Sequence, residues 1–243
     1  MSAPSWYSLN KGVSPNEGEF LQSASSTSTV PITDPTDVWS DVHHERHCLL
    51  LLLQTLTESE WNEPSLCADW RVRDVVGHMV SETTMTLPKV VKGMVKSRFR
   101  INRFLAADAR ERGRRSIPDL VEDFQIAMPT RTHLPGLSSL SMLEDIIIHS
   151  LDIRRPLRRA HAVPERRMSS VATDLWASRF FPGHKLFRDL RVMAIDSEWC
   201  AGDGPVVAGP IESLVLVMSG RLSDLGKLKG EGIARVQERA AHL

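Results

Sequence analysis

Asp145, His149 and Asp152 are the residues best placed to do chemistry, because of the sequence around them. They stand in the run Leu143-Glu144-Asp145-Ile146-Ile147-Ile148-His149-Ser150-Leu151-Asp152-Ile153-Arg154-Arg155. Wound as a helix at about 100° per residue, the three polar side chains fall within roughly 60° of one another, and the isoleucines cover the other sides. A helix that is apolar nearly all round is buried. A charge on such a helix needs a partner, because an unpaired buried charge is costly. A carboxylate and an imidazole at i and i+4 can share a metal ion or a proton. The plainer alternative is a core hydrogen bond in which Asp145 orients His149. Glu144 is the rival carboxylate, but at i,i+5 from His149 it faces roughly 140° away.

A second imidazole comes from Val72-Arg73-Asp74-Val75-Val76-Gly77-His78-Met79. In helical projection His78 lies between Val75 and Met79, so it points inward, with Glu82 one turn on. A lone histidine on an apolar face is otherwise a satisfied core residue. Two imidazoles and a carboxylate from facing helices form a sound ligand set for a divalent ion, with room left for water or another ligand. An open zinc site can deprotonate a bound thiol as well as water. Ligating histidines need an acceptor for their second ring nitrogen, and Asp152 and Glu82 are near in projection.

These residues need helices to hold them. Asp34-Pro35-Thr36-Asp37 is a helix start, and Trp39, Val42, Leu49, Leu50, Leu53 and Leu56 repeat at helical spacing to about Thr57. His43, His44 and His47 ride at the edge of that stripe or off it, and read as a solvated flank. A second helix begins near Val72 or Arg73, with Asp74 in its first turn where a negative charge suits the dipole. Pro88 kinks or ends it. The arginines of residues 97–115 read as a basic, solvated face. Ser116-Ile117-Pro118-Asp119 caps a helix to about Ala127. Serines at the end of the loop 129–140 cap the isoleucine-rich helix, which closes near Arg155-Pro156. A further helix spans about Arg166 to Phe180.

The character then changes. Leu190 to Ile195 alternates like a strand. Asp203-Gly204 is a turn signal, and Pro205 to Gly209 is a second short strand. Ile211 to Met218 and Ile233 to about Ala241 are helices. The order predicts a mainly α chain with a small α+β part. Residues 1–33, with the polar run 22–29, read as a disordered tail. Residues 34–160 read as a helical domain and 161–243 as an α+β domain, the boundary falling within 160–185.

Composition excludes several classes of function. The 30 basic and 30 acidic side chains balance, which argues against a nucleic-acid or anionic-membrane footprint as the main function. No apolar run approaches the ~18 residues of a membrane span, and no secretory signal opens the chain. Cys48, Cys67 and Cys200 are far apart and odd in number, which is neither a disulfide framework nor a CxxC zinc site. A reducing cytoplasm fits. There is no G-x-S-x-G, P-loop or dinucleotide fingerprint. Cys67 and Cys200 have no base within sequence reach, so neither reads as a nucleophile.

Several stretches taken together carry a resemblance. The run Glu45-Arg46, Leu56-Thr57, Trp61, Pro64-Ser65-Leu66-Cys67-Ala68-Asp69-Trp70 and Val72 to His78 resembles the opening of the mycothiol-dependent maleylpyruvate isomerase family. Asp145 to Leu157 resembles that family's second metal motif. Asp196-Ser197-Glu198-Trp199, Gly202 to Pro210 and Ser219-Gly220-Arg221 are similar to its C-terminal domain. The likeness spans about residues 37–241. It implies a DinB-like up-down four-helix bundle followed by a small α+β domain, and a zinc or similar divalent site at His78, Asp145 and His149. The family usually has glutamate where this chain has Asp145. It also implies that Arg221 matters for activity, either holding a substrate carboxylate or capping a helix end. Mycothiol is the implied thiol cosubstrate, held as a metal-bound thiolate that isomerises or conjugates a small electrophile. A non-catalytic ligand- or partner-binding bundle and a metal-dependent hydrolase are the alternatives.

Overall fold

Val38, Val42, Leu49 and Leu53 lie at helical spacing and are all buried on one face of α1 (Pro35–Leu53). The computed structural model describes residues 35–98, 100–131 and 138–243, without the side chains of 35–37, 82, 87, 101 and 102. The predicted tail 1–33 lies outside the described residues, as does the middle of the loop 129–140. A short helix α2 (Glu58–Asn62) follows, closed by a reciprocal cap between Thr57 and Glu60. It seats the fully buried Trp61.

The helix α3 (Val72–Thr84) begins where the sequence indicates. The Asp74 carboxylate accepts from the Arg71 backbone N–H at 3.0 Å and from Arg71 Nε at 3.0 Å. Val72, Val75, Val76, Met79 and Val80 are buried along it. Pro88 was expected to kink or end this helix. Instead α3 stops at Thr84 and Pro88 sits in the first turn of a new helix, α4 (Leu87–Lys96). Proline suits that place because the first N–H groups of a helix have no partner inside it.

The arginine-rich stretch forms α5 (Ile101–Arg112). It is followed by α6 (Ile117–Ala127), capped by Ser116, whose hydroxyl accepts from the Asp119 N–H. The isoleucine-rich run forms α7 (Ser139–Arg154), capped by Ser138. It is buried on all sides from Met142 to Arg154 except at Asp145. Helices α1, α3, α6 and α7 enclose the bundle core, and α5 packs on the other flank of α3.

The helix α8 (Glu165–Ala177) lies against α7. Buried charges tie it to α1. Arg167 donates to Asp41 Oδ1 at 2.7 Å and to Glu45 Oε1 at 2.6 Å, and His161 Nε2 meets Glu45 Oε2 at 2.8 Å.

After the short α9 (Gly183–Leu186) come β1 (Arg191–Ala194), β2 (Cys200–Ala201) and β3 (Val206–Gly209). The sheet order is β2-β1-β3, with β2 antiparallel and β3 parallel to β1. The Asp203-Gly204 turn therefore does not join neighbouring strands. It carries the chain beneath the start of β1, where a Cβ on Gly204 would lie 2.5 Å from the Asp189 carbonyl oxygen. The two-residue β2 was not predicted, being too short for an alternation to register.

The chain ends with α10 (Ile211–Met218), a 3-10 turn over Leu222–Lys227 and α11 (Ile233–Ala240). The molecule is thus mainly helical with a small three-stranded sheet, in the DinB-like arrangement the sequence implied. Among the described residues no helix is long and apolar enough to cross a membrane.

Candidate metal centre

Two helices and one loop meet at the centre. The helix α3 supplies His78, and α7 supplies Asp145, His149 and Asp152. The loop 63–71 supplies Cys67 and Trp70. That loop is closed on itself: Ser65 N–H donates to the Trp70 carbonyl at 2.9 Å, and Trp70 N–H donates to the Cys67 carbonyl at 3.1 Å. Asp69 turns the corner with a φ of 64°, which aspartate tolerates better than most residues. Leu66 N–H donates to the Asp152 carbonyl at 3.0 Å and pins the loop to α7.

His149 is held at both ring nitrogens. Its Nδ1 lies 2.8 Å from Asp152 Oδ2, and its Nε2 lies 3.2 Å from Asp145 Oδ1. His78 Nε2 approaches the same Asp145 oxygen at 4.0 Å. Donors about 2.1 Å from a tetrahedral ion are roughly 3.4 Å from one another, so the spacing suits such an ion. The ligand atoms of His78, Asp145 and His149 all lie within 4.8 Å of one another. The Asp145 side chain is 20% exposed, against 9% for each imidazole. The more accessible side therefore lies at the carboxylate, beside a cavity of about 10 Å³, room for one water, lined by Met79, Thr83, Phe124, Met142 and Asp145.

The electrostatics suit a cation. Burial, reinforced by the neighbouring His149, pushes His78 down to about 4, so it is uncharged at neutral pH, the form that ligates. Burial opposes charge on His149 as well. There, however, Asp145 and the hydrogen bonds to Asp152 and Cys67 win, and the ring is raised well above its ordinary value. Asp152 is fully buried. Burial pushes its carboxyl up, but hydrogen bonds from His149 and Arg221 hold it well below the usual carboxylate range. With Nδ1–H donated to Asp152, His149 turns Nε2 toward Asp145 and His78.

A second group, Cys67, His149 and Asp152, also brings its ligand atoms within 4.8 Å of one another. It is the poorer cation site. Arg221 Nη2 stands 3.3 Å from Cys67 Sγ and 2.7 Å from Asp152 Oδ2, so a positive charge already occupies it.

The structure brings together His78, Asp145, His149, Asp152 and Arg221, all singled out in the sequence. Glu82, the other expected acceptor, has its side chain outside the described residues. Glu144 points away from the centre, shares a hydrogen bond with Asp174 and is pushed up to about 9, by burial first and then by Asp174. Cys67 has basic and acidic neighbours after all, since its Sγ lies 3.9 Å from His149 Nδ1 and 3.2 Å from Asp152 Oδ2. These partners are 82 and 85 residues away in sequence, which hid them. Trp70 was missed as a wall of the site. Its ring centroid lies 5.0 Å from His78 and 6.3 Å from His149.

Comparison with known proteins bears on the fold. Residues 42–134 match the model of the mycothiol maleylpyruvate isomerase N-terminal domain. A crystal structure of the mycothiol-dependent maleylpyruvate isomerase superposes with a TM-score of 0.58 at 14% identity, covering 84% of this chain and 95% of its own. A histidine-to-alanine mutant of that isomerase gives 0.60 at 12% identity, with the same coverage of 84% and 95%. At such identities the likeness establishes the fold. The search of curated proteins found no match. Residues 42–134 thus share the mycothiol maleylpyruvate isomerase N-terminal domain, and the chain shares the fold of those isomerase structures.

Proposed function

We propose that this chain is a metal-dependent enzyme that uses mycothiol to isomerise or conjugate a small electrophile, with zinc at His78, Asp145 and His149. The observation that carries this reading is the meeting of those three ligand atoms within 4.8 Å. The bundle, residues 34–160, holds the centre, and residues 161–243 contribute Arg221. A divalent ion there supplies the positive charge that favours a thiolate over a thiol at neutral pH.

The chain's own residues do the rest. Asp152 fixes the tautomer and plane of His149. His78 stays uncharged through burial. Trp70 screens both imidazoles from one side. Asp145 is the most exposed of the three ligands, and its side is where the cosubstrate and the electrophile approach. Addition of the cosubstrate sulfur to an activated double bond, rotation about the resulting single bond and elimination give isomerisation. Retention of the adduct gives conjugation. Three free cysteines fit a reducing cytoplasm, where such a cosubstrate stays a thiol.

Metal analysis of the purified protein beside His149→Ala tests the site. The wild type should carry close to one divalent ion per chain and the variant far less, and equal content in both would defeat the assignment. Incubating metal-loaded protein with mycothiol and a panel of electrophiles tests the activity. Steady thiol consumption or cis–trans conversion is expected. Metal binding with no turnover across the panel would favour the non-catalytic binding reading, and hydrolysis without the thiol the hydrolase reading.

A further inference from the structure

Arg221 lies just past α10, 69 residues from Asp152. Its Nε donates to Asp152 Oδ1 at 3.0 Å and its Nη2 to Oδ2 at 2.7 Å, a bidentate pair. Nη2 also reaches Cys67 Sγ at 3.3 Å, and Nη1 donates to the Ser219 carbonyl at 2.9 Å. These contacts engage Nε–H, both N–H groups of Nη2 and one of Nη1, leaving a single N–H of the five a guanidinium owns. The backbone is fixed too, with Arg221 N–H donating to the Leu216 carbonyl at 2.8 Å. A group so fully committed is poorly placed to grip a substrate carboxylate.

We propose that Arg221 is a positioning residue for the metal centre. It clamps the plane of the buried Asp152 carboxylate, Asp152 holds His149 Nδ1, and His149 in turn presents Nε2 beside Asp145 and His78. The C-terminal part of the chain thereby completes a ligand set whose members all belong to the bundle. This rests on the reading of His78, Asp145 and His149 as metal ligands, and refines the part Arg221 plays in it. Cys67 closes the arrangement, its Sγ touching both Asp152 and Arg221. Lysine in place of Arg221 restores the charge but not the two-pronged geometry.

Cobalt(II) titration, read by affinity and by the visible ligand-field spectrum, tests the proposal. The panel is wild type, His149→Ala, Arg221→Lys, Asp152→Asn and the double variant Arg221→Met/Asp152→Asn. The double variant leaves no orphaned buried charge, which guards against simple misfolding; circular dichroism checks it. We expect Asp152→Asn and the double variant to weaken cobalt binding by about 10- to 100-fold. We expect the same altered spectrum in both, because the two residues act in series. Arg221→Lys should fall between them and the wild type. An Arg221→Lys protein with wild-type affinity and spectrum, whose only defect is a raised KM for anionic electrophiles, would overturn the positioning role in favour of a substrate clamp. If the wild type bound cobalt no better than His149→Ala, the metal reading itself would fall, and the proposal with it.

Discussion

Asp145 is one methylene shorter than a glutamate, yet its Oδ1 stands within 3.2 Å of His149 Nε2 and 4.0 Å of His78 Nε2. Reach alone does not disqualify it. Glu144, one position earlier, turns toward Asp174 instead. Two variants separate the carboxylates. Asp145→Ala should lose most of the bound metal, whereas Glu144→Gln should keep it, since glutamine can still donate to Asp174. Inductively coupled plasma analysis of both proteins decides the matter, and the opposite pattern would reassign the ligand. His78 owes its uncharged state to burial, so it depends on the packing of α3 as much as on its own chemistry.

That packing is tight next to the site. Gly77 lies where α3 crosses α5, and a Cβ there would sit 2.8 Å from the Ala109 carbonyl oxygen and 3.0 Å from the Gly113 nitrogen. Both are backbone atoms, so relief requires the helices to move apart. Gly77→Ala should destabilise the fold by about 1–3 kcal/mol, as overpacking does. It should also weaken metal binding by displacing His78. Urea unfolding and a metal titration on one preparation measure both effects, and a variant as stable as wild type would show that the crossing is looser than this. Glycine at 77 was plain in the sequence. The neighbour that demands it comes from Ala109, and no local pattern announces that partner.

At the scale of the molecule, the link between α1 and α8 is electrostatic. Burial pushes the Glu45 carboxyl up, but hydrogen bonds from His161 and Arg167 more than offset this, and it titrates below its ordinary 4.5. A carboxyl lowered in the folded state stabilises above its unfolded value and loses that contribution as pH falls through the folded one. Unfolding free energy should therefore drop on acidification below about pH 4.5. Glu45→Gln should be less stable at neutral pH and should lose less of its stability on acidification. Denaturation curves between about pH 7 and about pH 3 test the sign; parallel curves for both proteins would remove Glu45 from the account.

The sequence by itself determined the elements and the polar line. Periodic apolar residues placed α1, α3, α6, α7, α8 and α10 to within a few residues. Helical geometry put Asp145, His149 and Asp152 on one face and turned Glu144 away, because both facts follow from 3.6 residues per turn. His78 was legible as an inward imidazole for the same reason. Only the tertiary structure decided which residues meet across the chain. It joined Arg221 to Asp152 and set Cys67 and Trp70 against the imidazoles. It also ran β3 parallel to β1 instead of pairing strands across the Asp203-Gly204 turn. Contacts of that kind come from packing elements far apart in sequence, and local periodicity carries no record of them.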